Sequence, residues 1–223
     1  MNNVLVVAAH PDDETLGCGG TLLKHISDGD SVHWLIVTAA TLETGYTSAQ
    51  IDARAKEIKS VAKSYKFASV NQFGFDSARL DTVARKQIIE KLAEIIDKIK
   101  PQIVYLPFPG DVHSDHRIVF ECATAATKNF RAPYIRKTLT CEVLSETEFG
   151  IDPSGLSFRP NYFVDISGHI EDKIRILNFY KSEMGDFPFP RSERAVRALA
   201  SLRGAQSSTD SAEAFMIVSE FSR

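Results

Sequence analysis

The chain has 223 residues, of which 43% are hydrophobic and 25% charged, and a net charge of −3. These values suit one soluble globular domain spanning residues 1–223 and argue against a nucleic-acid or anionic-membrane binder that works by bulk charge. Cys18, Cys122 and Cys141 form no CxxC pair, and there is neither a long apolar run nor a basic-then-apolar leader; reduced, buried thiols, no membrane span and a cytoplasmic location are expected.

The first predicted element is a buried strand over Val4–Ala9, followed by a helix from Thr15 to about Ser27 that stops near Asp28-Gly29-Asp30. Val32–Thr38 is apolar without alternation, as in a strand covered on both faces. Thr47 and Gln50 have capping-box spacing, and Ile51, Ala55, Ile58 and Ala62 give the next helix its apolar stripe. Val70–Phe75 reads as a weaker strand. Asp81 or Thr82 is the predicted cap of a helix to Lys100, whose stripe of Ile88, Ile89, Leu92, Ile95, Ile96 and Ile99 is the clearest amphipathic signal in the chain. Pro101 ends it, Ile103–Leu106 is a further buried strand, and a helix through about Lys128 follows. The last third is less regular. Strands are expected at Thr138–Leu144, Asn161–Ile166 and Ala214–Phe221, helices at His169–Lys181 and Ser192–Leu202, and loops around Gly150-Ile151-Asp152-Pro153 and Phe187–Pro190.

Strands alternating with helices imply an α/β fold with a Rossmann-like, mostly parallel sheet flanked by helices, followed by an irregular α/β carboxyl-terminal part. In such sheets ligands bind beyond the carboxyl ends of the strands. Two polar clusters fall there. The first strand runs into Ala8-Ala9-His10-Pro11-Asp12-Asp13-Glu14, with three adjacent carboxylates whose mutual repulsion calls for a cation. Pro11 fixes its own φ and biases His10 towards an extended conformation. The fourth strand leads into Gly110-Asp111-Val112-His113-Ser114-Asp115-His116, with two histidines three apart. Together the clusters offer His, Asp and His as ligands and water in a fourth position, the pattern of an open, catalytic zinc site. A carboxylate and a histidine remain for acid–base hydrolysis of an amide or ester. Spacing leaves open which of Asp12 and Asp13, and which of His113 and His116, is the ligand.

The His-Pro-Asp-Asp-Glu turn with the later His-x-Asp-His resembles the LmbE-like, or PIG-L, family of zinc-dependent de-N-acetylases. Arg54 with Glu57 and Ile58, the loop Phe73-Gly74-Phe75-Asp76, the run Lys173 to Tyr180 with Ser182, then Arg203-Gly204 and Ala212-Glu213-Ala214-Phe215 are similar to further landmarks of that family, so the likeness covers nearly the whole chain. The resemblance implies that His10, Asp13 and His116 bind Zn2+ and that Asp12 is the general base acting on the attacking water. It implies that His113 protonates the leaving amine and steadies the tetrahedral intermediate, with Asp115 orienting its ring. Arg54 is implied to contact sugar hydroxyls; the bland alternative is an exposed cation on an ordinary helix. No role is assigned to Glu14.

The implied substrate is a small-molecule N-acetyl amino-sugar conjugate or sugar nucleotide, usually N-acetylglucosamine on a malyl, inositol, nucleotide-diphosphate or lipid group, and a lipid carrier is disfavoured because no membrane anchor is seen. Homo-oligomers are common among such enzymes. Ser77 and the pair Ser182-Glu183 depart from the family's usual glycine and Ser-Gln, at positions that bear on the pocket rather than the metal. Arg191, Arg194, Arg197 and Arg203 suit either an anionic group or a solvated helix face. Among rivals, a dinucleotide-binding reading of Gly17-Cys18-Gly19-Gly20 fails because Leu22 stands where the third glycine belongs. Two histidine ligands favour zinc over a magnesium phosphotransfer site. The remaining alternatives are a zinc amidase or esterase acting on a non-sugar substrate and a non-catalytic zinc-binding interaction protein.

Overall fold

The structure is a computed structural model that describes residues 1–150 and 155–222; the expected loop at Ile151-Asp152-Pro153 lies outside the described residues. Seven strands, β1 (Asn3–Ala8), β2 (Ser31–Ala39), β3 (Ser69–Asp76), β4 (Ile103–Leu106), β5 (Lys137–Cys141), β6 (Tyr162–Asp165) and β7 (Ala212–Glu220), form one sheet in the order β3-β2-β1-β4-β5-β7-β6. The first five are parallel, and β7 runs antiparallel to both of its neighbours.

The helices are α1 (Asp13–Ser27), α2 (Ser48–Tyr65), α3 (Arg85–Ile99), α4 (Ser114–Ala126), α5 (Ile170–Leu177) and α6 (Glu193–Ser207). Side-chain alternation along β1 divides the core. Val4, Val6 and Ala8 join residues of α1, α2, α5 and α6 on one face, while Leu5, Val7 and Ala9 join those of α3 and α4 on the other. Each fully buried Val or Leu contributes about 1.5–3 kcal/mol relative to exposure. This double burial explains why β1 and β2 read as continuous apolar runs.

The predicted capping box of α2 is present, with Thr47 Oγ1 accepting from Gln50 N. The predicted cap of α3 is one turn too early. Leu80, fully buried, anchors a separate 3-10 turn over Leu80–Thr82; Val83 is extended, and the helix begins only at Arg85. The stripe of α3 buries Ile88, Leu92, Ile96 and Ile99, as its spacing demands.

The chain leaves β1 towards β2 on one side, and β4 enters on the other, so the crevice beyond β1 and β4 is the topological switch point. Helix α1 presses closely on the later strands there. A Cβ on Gly20 would stand 2.8 Å from Ile166, and one on Gly17 would stand 2.8 Å from the Cβ of Cys141. The glycines therefore serve packing, not phosphate binding.

Candidate metal centre and active site

The turn after β1 delivers His10 and Asp13. His10 N–H donates to Asp13 Oδ2 at 2.8 Å, which folds the turn back on itself. Asp12, between them, has φ 128° and ψ −31°, a left-handed conformation that a Cβ-bearing residue adopts only under constraint. The constraint is visible. Asp12 C=O accepts from Thr15 N and Leu16 N, and its N–H donates to Glu14 Oε2 at 3.1 Å. Glu14 is fully enclosed; its other oxygen accepts from Thr15 Oγ1 at 2.5 Å and from Tyr180 Oη at 2.7 Å.

His113 and His116 come from the loop after β4 and the first turn of α4. Ligand atoms of His10, Asp13 and His116 all lie within 4.8 Å of one another, as do those of His10, His113 and Asp115. Two further contacts bear on the first set. Asp111 Oδ2 lies 2.8 Å from His116 Nδ1, and Asp115 Oδ2 lies 3.1 Å from His10 Nε2. A carboxylate accepts only, so these ring nitrogens carry the hydrogens, leaving lone pairs on His116 Nε2 and His10 Nδ1. His116 Nε2 is buried without a hydrogen-bond partner, although Asp13 Oδ1 stands 3.3 Å away and His10 Nδ1 is 3.7 Å from Asp13 Oδ2. With the ring neutral, these two acceptors face each other in a closed space, an arrangement that a proton or a metal ion resolves. Two imidazoles and one carboxylate also match an open zinc site.

The electrostatics separate the two aspartates. Burial pushes the Asp13 carboxyl up, but His116 and His10 outweigh it and hold the group well below the usual carboxylate range. Burial and the neighbouring Asp13 push Asp12 well up, against the opposing pull of Arg191 and Arg54. Burial opposes charge on His116, yet Asp13 and Asp111 raise it well above an ordinary histidine. The centre thus stabilises a positive charge. Burial, then His10 and His116, lower His113 to about 4. Glu14 is raised to about 7, chiefly by burial.

One expected contact is different. The resemblance implied that Asp115 orients the ring of His113, but its carboxylate accepts from Ala78 N at 2.7 Å and Leu80 N at 3.2 Å and contacts His10. It is the main-chain N–H of Asp115 that donates to His113 Nδ1, at 3.1 Å, with His113 as the N-cap of α4. The loop after β3 supplies two main-chain N–H donors that take up the carboxylate instead.

A cleft of about 160 Å³ opens over the centre, lined by His10, Asp12, Asp13, Thr38, Tyr46, Arg54, Ser77, His113, Glu146, Glu183 and Arg191 among others. Arg54 is therefore not a free surface cation. It contacts Glu57 at 3.3 Å, pairs with Glu183 and lies over the Tyr180 ring. Of the other arginines singled out, only Arg191 lines the cleft; Arg197 pairs with Glu171 and Glu193, Arg203 pairs with Glu142, and Arg194 lies over Phe187. Sequence reasoning assigned no site role to Asp111 or Glu146, left Arg191 undecided and singled out Glu183 only as a departure bearing on the pocket. For Asp111 the signal was present, a carboxylate five residues before His116. For Glu146 and Arg191 no local pattern exists.

Imidazole and carboxylate groups placed to hold a metal ion at the switch point of a doubly wound sheet, with a further carboxylate beside them, are the arrangement of a metal-site α/β hydrolase. Within that class, the chain belongs to the PIG-L family, whose model, described as GlcNAc-PI de-N-acetylase, matches residues 5–127. It is 26% identical over 98% of its length to the diacetylchitobiose deacetylase of Thermococcus kodakarensis, of which it covers 84%. Among solved structures it is similar to the conserved protein TT1542 of Thermus thermophilus, with TM-score 0.77, 26% identity and coverage of 100% and 97% of the two chains. The 4-carboxy-2-hydroxymuconate hydratase GalB of Pseudomonas putida KT2440 shares the fold, with TM-score 0.75, 20% identity and coverage of 100% and 98%. No helix among the described residues is long and apolar enough to cross a membrane.

Proposed function

We propose that residues 1–223 form one zinc-dependent deacetylase domain that hydrolyses the acetamide of an N-acetylated amino sugar, releasing acetate. The observation that carries this reading is the convergence of His10, Asp13 and His116 around an orphaned ring nitrogen, with Asp12 alongside. The family match and the relative described as a diacetylchitobiose deacetylase support the sugar acetamide as substrate.

His10, Asp13 and His116 hold the Zn2+, with Asp115 and Asp111 fixing the two rings. When bound, the ion supplies a Lewis acid that polarises the acetamide carbonyl and acidifies water. Asp12, its proton affinity raised by burial, takes a proton from the attacking water. The water oxygen bonds to the carbonyl carbon, and the carbon–nitrogen bond then breaks. Asp12 returns the proton to the departing amine. The ring of His113 accepts the Asp115 N–H at Nδ1 and is shifted to about 4, so at neutral pH it is uncharged with its hydrogen on Nε2. It thus donates to the developing oxyanion rather than delivering the amine's proton. The test is acetate release from soluble N-acetyl amino-sugar conjugates by protein stripped of metal and then reloaded with zinc. Release should appear only on reloading; zinc-loaded protein that hydrolyses no acetamide in the panel overturns the reading.

A further inference from the structure

The wall of the cleft carries a charge arrangement that amide hydrolysis does not require. Glu183 sits between two guanidinium groups. One of its oxygens pairs with Arg54 Nη2, which also donates to Ser182 Oγ at 3.2 Å; the other accepts from Arg191 Nη2 at 3.2 Å. Arg191 is further fixed by Nε donating to the Glu183 carbonyl at 3.0 Å and Nη1 donating to Ser145 Oγ at 3.2 Å. Glu57 lies against the far side of Arg54. The side chains of Arg54, Glu183 and Arg191 are 14%, 23% and 21% exposed, so this is a partly buried lattice rather than a solvated pair. Arg54 and Arg191 are also the only lysine or arginine side chains on the described cleft lining, against the carboxylates of Asp12, Asp13, Glu146 and Glu183.

An anionic substituent entering this cleft finds both cations already matched. To reach either one it must displace Glu183, which then faces it as a like charge. An uncharged glycan needs only hydroxyl contacts and leaves the lattice intact. We infer that Glu183 is a specificity-determining residue: by neutralising Arg54 and Arg191 it sets the cleft to accept uncharged N-acetyl amino-sugar glycans and to discriminate against the same sugar carrying a phosphate or carboxylate. This rests on the deacetylase reading above.

The experiment compares kcat/KM for an N-acetylglucosamine disaccharide with that for N-acetylglucosamine 1-phosphate and 6-phosphate, in wild type and E183Q, with circular dichroism as a check on folding. Glutamine keeps the shape and one acceptor but removes the charge. The anionic-to-neutral ratio should rise at least tenfold in E183Q, and the rise should shrink as salt is added. R191Q, which leaves Glu183 with one cation, should lower the ratio and serves if E183Q does not fold. Hydrolysis with an unchanged ratio in both variants, or a wild-type preference for the phosphorylated sugars, overturns the inference and leaves the deacetylase reading standing. If no zinc-loaded protein hydrolyses any acetamide, that reading falls. Calorimetry with N-acetylglucosamine and its 6-phosphate then decides the inference: a tenfold gain for the phosphate alone in E183Q supports it, and equal affinities overturn it.

Discussion

The amino-terminal two-thirds and the last third of this chain contribute differently to one cleft. The first part is a doubly wound sheet whose strand ends deliver His10, Asp12, Asp13, His113 and His116 from two turns and the helix starts that follow them, with side chains of Asp13 and His113 accepting main-chain N–H groups. The last part adds β7 and β6 to the edge of the same sheet and supplies props and walls. Lys173, buried, donates to Leu16 O and to Glu213, whose carboxylate accepts Gly20 N and Thr21 N inside α1. Tyr180 holds Glu14, and Glu183 and Arg191 form the outer wall. The family model ends at residue 127, before any of these later residues. The proposed metal ligands and base thus lie within the family match, whereas of the proposed selectivity wall only Arg54 does.

That division can be broken from either side. The largest effect is expected from His116→Ala, which removes a proposed ligand from the first region. Zinc content should fall to background and acetate release by on the order of 10⁴ or more, given that a Lewis acid contributes several kcal/mol and each 1.36 kcal/mol is tenfold. Lys173→Met tests the second region. It leaves Glu213 buried without its counter-charge, so denaturant unfolding should show a loss of about 3–5 kcal/mol, with the residual folded protein still binding zinc. Asp111→Asn sharpens the boundary between ligand and prop. Metal titration should show affinity reduced about 10–100-fold with the fold retained.

The smallest effect is expected away from the cleft, at Asp30. Burial raises its carboxyl, but the N–H groups of Asn2 and the ring of His25 lower it further, leaving it below the ordinary value. A folded value below the unfolded one means stability that is present above roughly pH 4 and lost as pH falls through the folded value. Asp30→Asn should cost about 1 kcal/mol at pH 7, the gap to wild type closing on acidification when thermal unfolding is followed against pH.

The sequence was most informative where local pattern and structure coincide. The apolar runs of β1 and β2, the stripe of α3 and the capping box at Thr47 are local signals, and they appear where expected. The two polar clusters were legible because a parallel sheet places its strand ends together. The cap at Asp81 or Thr82 was not, since it depends on Leu80 being drawn into the core. Nor was the partner of Asp115, because Ala78 and Leu80 are brought to it by the loop after β3, 37 and 35 residues away in sequence. The Arg54–Glu183 pair joins residues separated by 129 positions and has no local trace at all.

The central claim is the division of labour between adjacent aspartates, with Asp13 a ligand and Asp12 the base. Bound zinc per chain in Asp12→Asn, measured beside Asp13→Asn and with acetate release from the same samples, tests it most directly. Asparagine tolerates the left-handed backbone at position 12, so the turn itself should survive. The account predicts wild-type zinc in Asp12→Asn with turnover reduced roughly 10²–10⁴-fold, and little zinc in Asp13→Asn. Loss of zinc from Asp12→Asn with retention in Asp13→Asn would contradict it.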